Sequence, residues 1–166
     1  MIGLERYVMD LKEYCSSLTK DKLSELAIRL CDRAYPIWSN YCDPGELSYQ
    51  DTIVGISHTI EKNILSDALE LCHHLQTDRN LFKNQKDAML ERFLEPITAL
   101  QDADWVLPYP VERVFYAIYN LVDGFKQKVS VFGELVHYLS VNQAVDAIYK
   151  AGLMTPGELK KLIYGG

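Results

Sequence analysis

Apolar residues recur at offsets of three and four along most of this chain, the period of helices that each bury one face. The pattern is densest from Pro110 to Phe125. There Val111, Val114, Phe115, Ile118, Leu121, Val122 and Phe125 form one wide stripe, and Tyr116, Ala117 and Tyr119 extend it around the cylinder. Only Glu112, Arg113, Asn120 and Asp123 mark a polar side, so this helix needs neighbours in most directions and is the predicted centre of the fold. Pro110 suits the first helical position, and Gly124 is placed to turn the chain out of the helix.

The remaining elements follow from the same reading. Leu4 to Leu18 forms an amphipathic helix, and Thr19 caps a second one whose inward stripe is Leu23, Leu26, Ala27, Leu30, Cys31 and Ala34. Pro36 is expected to kink or end that helix, and the aromatic connection after it breaks at Asp43-Pro44-Gly45. Ser48 and Asp51 have capping-box spacing. Ile53, Ile56, Ile60, Ile64, Leu65, Ala68, Leu69, Cys72 and Leu75 then carry a helical period to about Gln76, weakened at Gly55 and open to a break at Asn63. Thr77 to Asn80 reads as a loop, Leu81 to Leu100 as a helix kinked by Pro96, and Gln101 to Tyr109 as the loop feeding the central helix. Two helices, Val129 to Ser140 and Val141 to Ala151, follow it, and Gly152 closes the second. Thr155-Pro156-Gly157-Glu158 combines a capping box with Pro at the first helical position and starts a last short helix ending near Tyr164.

No period-two strand pattern of useful length and no repeat stands out. The expected fold is therefore all-α, a single domain over 1–166 built as a bundle of roughly seven to nine helices. At 166 residues, 48% of them hydrophobic, the chain is long enough for a substantial core. The N-terminal MIGLERYVMD carries Glu5, Arg6 and Asp10 and lacks the apolar run of a signal peptide. The longest apolar uncharged run, Val114 to Val122, is too short to span a bilayer, so a cytoplasmic protein is expected. Cys15, Cys31, Cys42 and Cys72 form no C-x-x-C pair and read as buried free thiols.

Three constellations bear on chemistry. Glu70-Leu-Cys-His73 and Glu134-Leu-Val-His137 are two E-x-x-H segments, the spacing by which facing helices grip a di-metal centre in ferritin-like carboxylate proteins. Helical phase opposes that use, because Leu69, Cys72 and Leu75 on one helix and Leu135, Val136 and Leu139 on the other define the inward faces and put Glu70, His73, Glu134 and His137 outside. Catalytic motifs are missing: there is no G-x-S-x-G, P-loop or dinucleotide fingerprint, and Ser57-His58 are neighbours that point apart on a helix. The chain therefore reads as non-enzymatic and without a cofactor. Asn120 and Asp123 on the central helix fit a hydrogen-bonded structural network better than a catalytic pair.

Charge patterning supplies the third constellation. The net charge of −6 disfavours nucleic acid as a partner. Ala34 through Glu61 and Phe93 through Glu112 contain no Lys or Arg, yet they hold acidic and aromatic residues around loops. Tyr41, Asp43, Glu46, Tyr49 and Asp51 from the first window, and Asp102, Asp104, Trp105, Tyr109 and Glu112 from the second, are the candidate partner-binding residues. Carboxylates would steer a basic protein partner and aromatics would anchor it. Trp38, in contrast, is expected in the core.

The segments LAIRLCDRAYPIWSNYC (Leu26 to Cys42) and YPVERVFYAIYNLVDGF (Tyr109 to Phe125) resemble the all-helical immunity proteins of bacterial toxin–immunity systems of the contact-dependent inhibition type. No functional residue carries over from that likeness. It implies an inhibitor that occludes the active site of a cognate toxin, often a basic nuclease. The other readings are the ferritin-like protein using Glu70, His73, Glu134 and His137, and a helical scaffold or adaptor.

Overall fold

A computed structural model describes residues 2–42, 47–51, 53–78, 80 and 83–165. Its elements, in chain order, are α1 (Ile2–Ser17), α2 (Lys20–Cys42), β1 (Leu47–Gln50), β2 (Ser57–Ile60), α3 (Ile64–Thr77), α4 (Lys83–Gln101), α5 (Tyr109–Lys126), α6 (Val136–Lys150) and α7 (Pro156–Tyr164). The all-α bundle expected from the sequence is the fold, with a small antiparallel strand pair added to it. Among the described residues no helix is long and apolar enough to cross a membrane.

Helix α5 is the centre. It packs most extensively on α6, then on α2, and it also touches α3 and α4, while α1 and α7 rest on α6. Val114, Phe115, Ala117, Ile118, Leu121 and Val122 on α5 are fully buried. Polar groups at the α2–α5–α6 junction are satisfied internally, as burial requires. Ser140 Oγ donates to the Ala117 carbonyl at 2.7 Å and lies 3.3 Å from Cys31 Sγ. The side-chain amides of Asn120 and Gln143 meet at 2.8 Å, and Asp123 accepts from Gln127 Nε2 at 2.7 Å. Asn120 and Asp123 therefore have structural partners. Cys15, Cys31, Cys42 and Cys72 are free and buried, and burial pushes the Cys15 and Cys31 thiols up to about 12.

The cap expectations at Thr19, Gly152 and Thr155 hold. Lys22 N donates to Thr19 Oγ1 at 3.2 Å ahead of α2, and Thr155 and Glu158 form a reciprocal capping box on α7. Gly152 has φ +70°, and Leu153 N reaches back to the Ile148 carbonyl at 3.1 Å, so the chain leaves α6 through a left-handed residue.

Several expectations are corrected or narrowed. Pro36 does not end α2, which runs on to Cys42. The proline lies on the exposed side, next to solvent for the carbonyl it leaves unbonded, and the buried Trp38 beyond it holds the helix to the core. The helix expected to start at Ser48 is instead a hairpin, with Leu47 opposite Ile60 and Tyr49 opposite His58. Only after Asn63, where the break was expected, does α3 begin. Residues 129–135 are not helical: Val129 bridges Leu135, Ser130 N donates to the Glu134 carbonyl at 2.8 Å, and Gly133 has φ +81°. A single helix, α6, replaces the two expected, and its buried stripe runs through His137, Ser140, Val141, Ala144 and Ile148 rather than through Leu135 and Leu139.

That change alters the role of Gly124. Instead of turning the chain out of α5, Gly124 sits inside the helix with the His137 ring lying against its backbone. His137, expected outside, is 5% exposed, bonds the Leu121 carbonyl through Nε2 at 2.9 Å and packs edge-on to Phe125 at 4.8 Å. A Cβ at position 124 would overlap the His137 ring, so glycine is what permits this close α5–α6 approach.

Ile118→Ala should destabilise the protein by ~2–5 kcal/mol in chemical denaturation, the range for emptying a packed site. A loss below ~0.5 kcal/mol, typical of surface sites, would remove α5 from the centre. Gly124→Ala should cost ~1–3 kcal/mol through overpacking. That cost should shrink in a His137→Ala background, and a double-mutant cycle without coupling would refute the contact.

Candidate functional site

The hairpin lies beside the C-terminal half of α4, and aromatic packing joins the two. Tyr49 on β1 stacks on His58 of β2 at 5.0 Å and on Trp105 at 6.1 Å. Trp105 meets Phe115 of α5 edge-on at 5.3 Å, and Phe115 is 5.4 Å from Trp38. These separations suit offset and edge-to-face aromatic pairs. Trp105 is 5% exposed and Tyr49 9%, so both belong to the floor of the surface rather than to its anchors. Their expected role as exposed anchors is therefore corrected: period-two alternation turns Tyr49 inward, and the chain after α4 folds Trp105 onto the core.

Ala103 makes the turn at the end of α4, with φ +61° and its N–H reaching the Leu100 carbonyl at 3.3 Å. The left-handed conformation, unusual for a residue with a Cβ, terminates the helix and places Asp102 and Asp104 on either side of the bend. Asp51, at the end of β1, accepts from Ile53 N at 2.7 Å and Val54 N at 3.2 Å, and these backbone donors hold its carboxyl below the usual range.

Between hairpin and helix runs an open groove of about 420 Å³, lined among the described residues by Tyr49, Asp51, His58, Leu94, Glu95, Thr98, Ala99, Asp102 and Asp104. Four carboxylates contribute to it, and no Lys or Arg does. Glu95 sits at the meeting of hairpin and helix: Tyr49 OH donates to its Oε1 at 3.2 Å, and His58 Nδ1 contacts the same oxygen. Burial first, and then the charges of Glu95, Asp104 and Asp51, push the Tyr49 phenol up to about 12, so it stays a neutral donor. Arg92 lines the adjoining depression and is held by Glu61 at 2.9 Å and Asp67 at 3.0 Å.

The two base-free windows thus do meet, through Tyr49 and Asp51 from one and Asp102 and Asp104 from the other. Tyr41, Tyr109 and Glu112 are not among the described groove residues. Tyr109 is 51% exposed, but its hydroxyl is bound to Asp146 of α6, whose Oδ2 lies 3.0 Å from Arg113 Nε. Asp43 and Glu46 lie outside the described residues. His58, Leu94 and Glu95 were missed as site residues. A signal existed for part of this: Glu95, Thr98 and Asp102 are spaced three and four apart, the first two on one face of α4 and Asp102 just past its end.

Three of the four E-x-x-H residues have separate partners. His73 Nε2 lies 2.9 Å from Asp32, Glu134 pairs with Lys12 at 2.8 Å, His137 bonds the Leu121 carbonyl, and Glu70 is exposed. Among the described residues no three His, Cys, Asp or Glu side chains converge as a metal site would require. No protein-family model, curated protein or solved structure matches the chain significantly.

Trp105→Ala should destabilise the fold by ~3–5 kcal/mol, as truncation of a buried aromatic does. Asp102→Asn with Asp104→Asn should stay within ~0.5 kcal/mol. Urea denaturation of both variants checks this, and a Trp105→Ala variant as stable as the parent would detach the aromatic floor from the core.

Proposed function

We propose that this chain is a non-enzymatic, cytoplasmic protein-binding inhibitor, an immunity protein that occludes the active site of a basic cognate toxin. The observation that carries the reading is the convergence of Asp51, Glu95, Asp102 and Asp104 on one groove from two stretches of chain without Lys or Arg. Such a groove focuses a negative potential outward and raises the encounter rate with a cationic surface. The net charge of −6 adds to the attraction at long range. The resemblance of Leu26–Cys42 and Tyr109–Phe125 to immunity proteins gives the partner its class. The groove acts as a docking surface set on a rigid floor and needs no cofactor.

The test pairs the chain with the toxin domain that this reading expects the neighbouring gene to encode. Co-expression should restore growth to cells making that domain, and the purified proteins should form a complex. Asp102→Asn with Asp104→Asn should slow association by ~10-fold at low salt, and the difference should fade at high salt, because exposed charges act mainly on the on-rate and are screened. An association rate unchanged at low salt would remove the groove from the interface, and growth that is not restored would remove the inhibitor reading itself.

A further inference from the structure

After β1, the side chains of Ile53, Val54 and Ile56 stand in water on a hydrogen-bonded backbone. Ile53 is 92% exposed, Val54 66% and Ile56 55%. Single exposed apolar residues are common, but three on one tip form a patch that calls for an explanation. The backbone beneath them is tied down. Asp51 Oδ1 accepts from Ile53 N and Val54 N, Gly55 N donates to the Asp51 carbonyl at 2.8 Å, and Asp51 N donates to the Ile56 carbonyl at 3.0 Å. Gln50 Nε2 donates to the Gly55 carbonyl at 2.8 Å, and Gly55 supplies φ +75°. These hydrogen bonds hold the described part of the turn, and β-branched side chains have little rotamer freedom to lose on burial.

We propose that Ile53, Val54 and Ile56 are a preorganised anchor that inserts into an apolar cleft of a protein partner, a cleft rimmed by basic residues. The inference rests on the inhibitor reading and specifies how the partner is held. Asp51 connects the two features: its side chain builds the tip, and the same residue lines the acidic groove. A surface that receives the tip therefore also faces Asp51, Glu95, Asp102 and Asp104. That geometry selects a cationic rim. It opposes an anionic lipid surface, which would repel those carboxylates, and it opposes a second copy docking tip to tip, which would set one acidic groove beside another. The groove then governs how fast the partner arrives, and the tip governs how long it stays.

The probe is that same expected toxin domain, the product of the neighbouring gene, immobilised for binding kinetics. The variant combines Ile53→Ser, Val54→Ser and Ile56→Ser. Dissociation should accelerate by ~10–100-fold, as loss of a desolvated anchor does, while association stays within ~2-fold. Thermal stability should be unchanged because these side chains face water. If the triple variant loses stability, Val54→Lys alone decides: a lysine carried into a basic rim should likewise speed dissociation. Wild-type protein that binds the probe, with variants leaving at the wild-type rate, would overturn the anchor and leave the inhibitor reading standing. A wild-type chain that does not bind the probe would overturn both. Co-sedimentation of wild-type protein, but not the triple variant, with phosphatidylcholine–phosphatidylglycerol vesicles would reassign the tip to a lipid surface and overturn the proposal.

Discussion

Phe115 is where the helical core and the candidate recognition surface become one structure. Its ring is fully buried, with Phe93 of α4 and Trp105 at 5.3 Å and Trp38 of α2 at 5.4 Å. Each contact brings in a different part of the chain. Phe93 seats α4 on α5, Trp38 carries α2 past Pro36, and Trp105 continues outward to Tyr49 and the hairpin. Aromatic rings suit this task because each buries a large area with few rotatable bonds and fixes its neighbour's angle. The hairpin alone, with four residues in each strand, would be marginal in water. It is ordered because Tyr49 and Ile60 give it a buried face on the bundle.

The acidic groove depends on that seating. Carboxylates repel one another, and a surface gathering four of them gains nothing for stability from their proximity. The apolar contacts beneath supply the compensation. Tyr49 and His58 both reach Glu95, so the strand pair and α4 are linked by polar contacts exactly where the acids crowd. Asp51 is used twice, as a local cap for the turn backbone and as part of the groove wall. The negative charge therefore stands on fixed backbone and can act at a distance without first being ordered by a partner.

Much of the fold was legible because the buried stripes on α2, α3, α5 and α6 are long and strictly periodic, and because the Thr19 and Thr155 caps have specific chemistry. The strand pair was hidden by coincidence. Ile53, Ile56 and Ile60 are spaced three and four apart as a helix would require, yet Ile53 and Ile56 belong to an exposed turn and only Ile60 is buried. Leu47-Ser48-Tyr49-Gln50 and Ser57-His58-Thr59-Ile60 alternate in burial, but four residues are too few for the alternation to outweigh a longer helical period. His137 was misplaced for a related reason. Its face was judged from Leu135, Val136 and Leu139, whereas Leu135 and Leu139 are only half-buried and the buried stripe runs through His137, Ser140, Val141, Ala144 and Ile148, which turns the ring toward Gly124. The glycine that admits it is distant in sequence, so no local pattern reveals the pairing. The acidic surface was legible at the level of composition, through windows without Lys or Arg. Which residues met there depended on the hairpin, and so Glu95 and His58 emerged only with the fold.

The contrast between Trp105 and Ile53 shows why residue type alone does not decide which side chains are exposed. Tryptophan is enriched at interface centres, but it is equally a residue that completes a core, and its large apolar area favours burial wherever a cavity exists. Trp105 has such a cavity among Phe115, Trp38 and Tyr49 and fills it. Ile53 has none, because the Asp51 cap and the positive φ of Gly55 hold the turn clear of the bundle. Exposure here follows from backbone hydrogen bonding rather than from side-chain polarity. The chain has spent polar interactions to keep apolar groups in water, the reverse of what folding stability alone favours. A surface built this way is more readily understood from what it meets than from what it contributes to the fold.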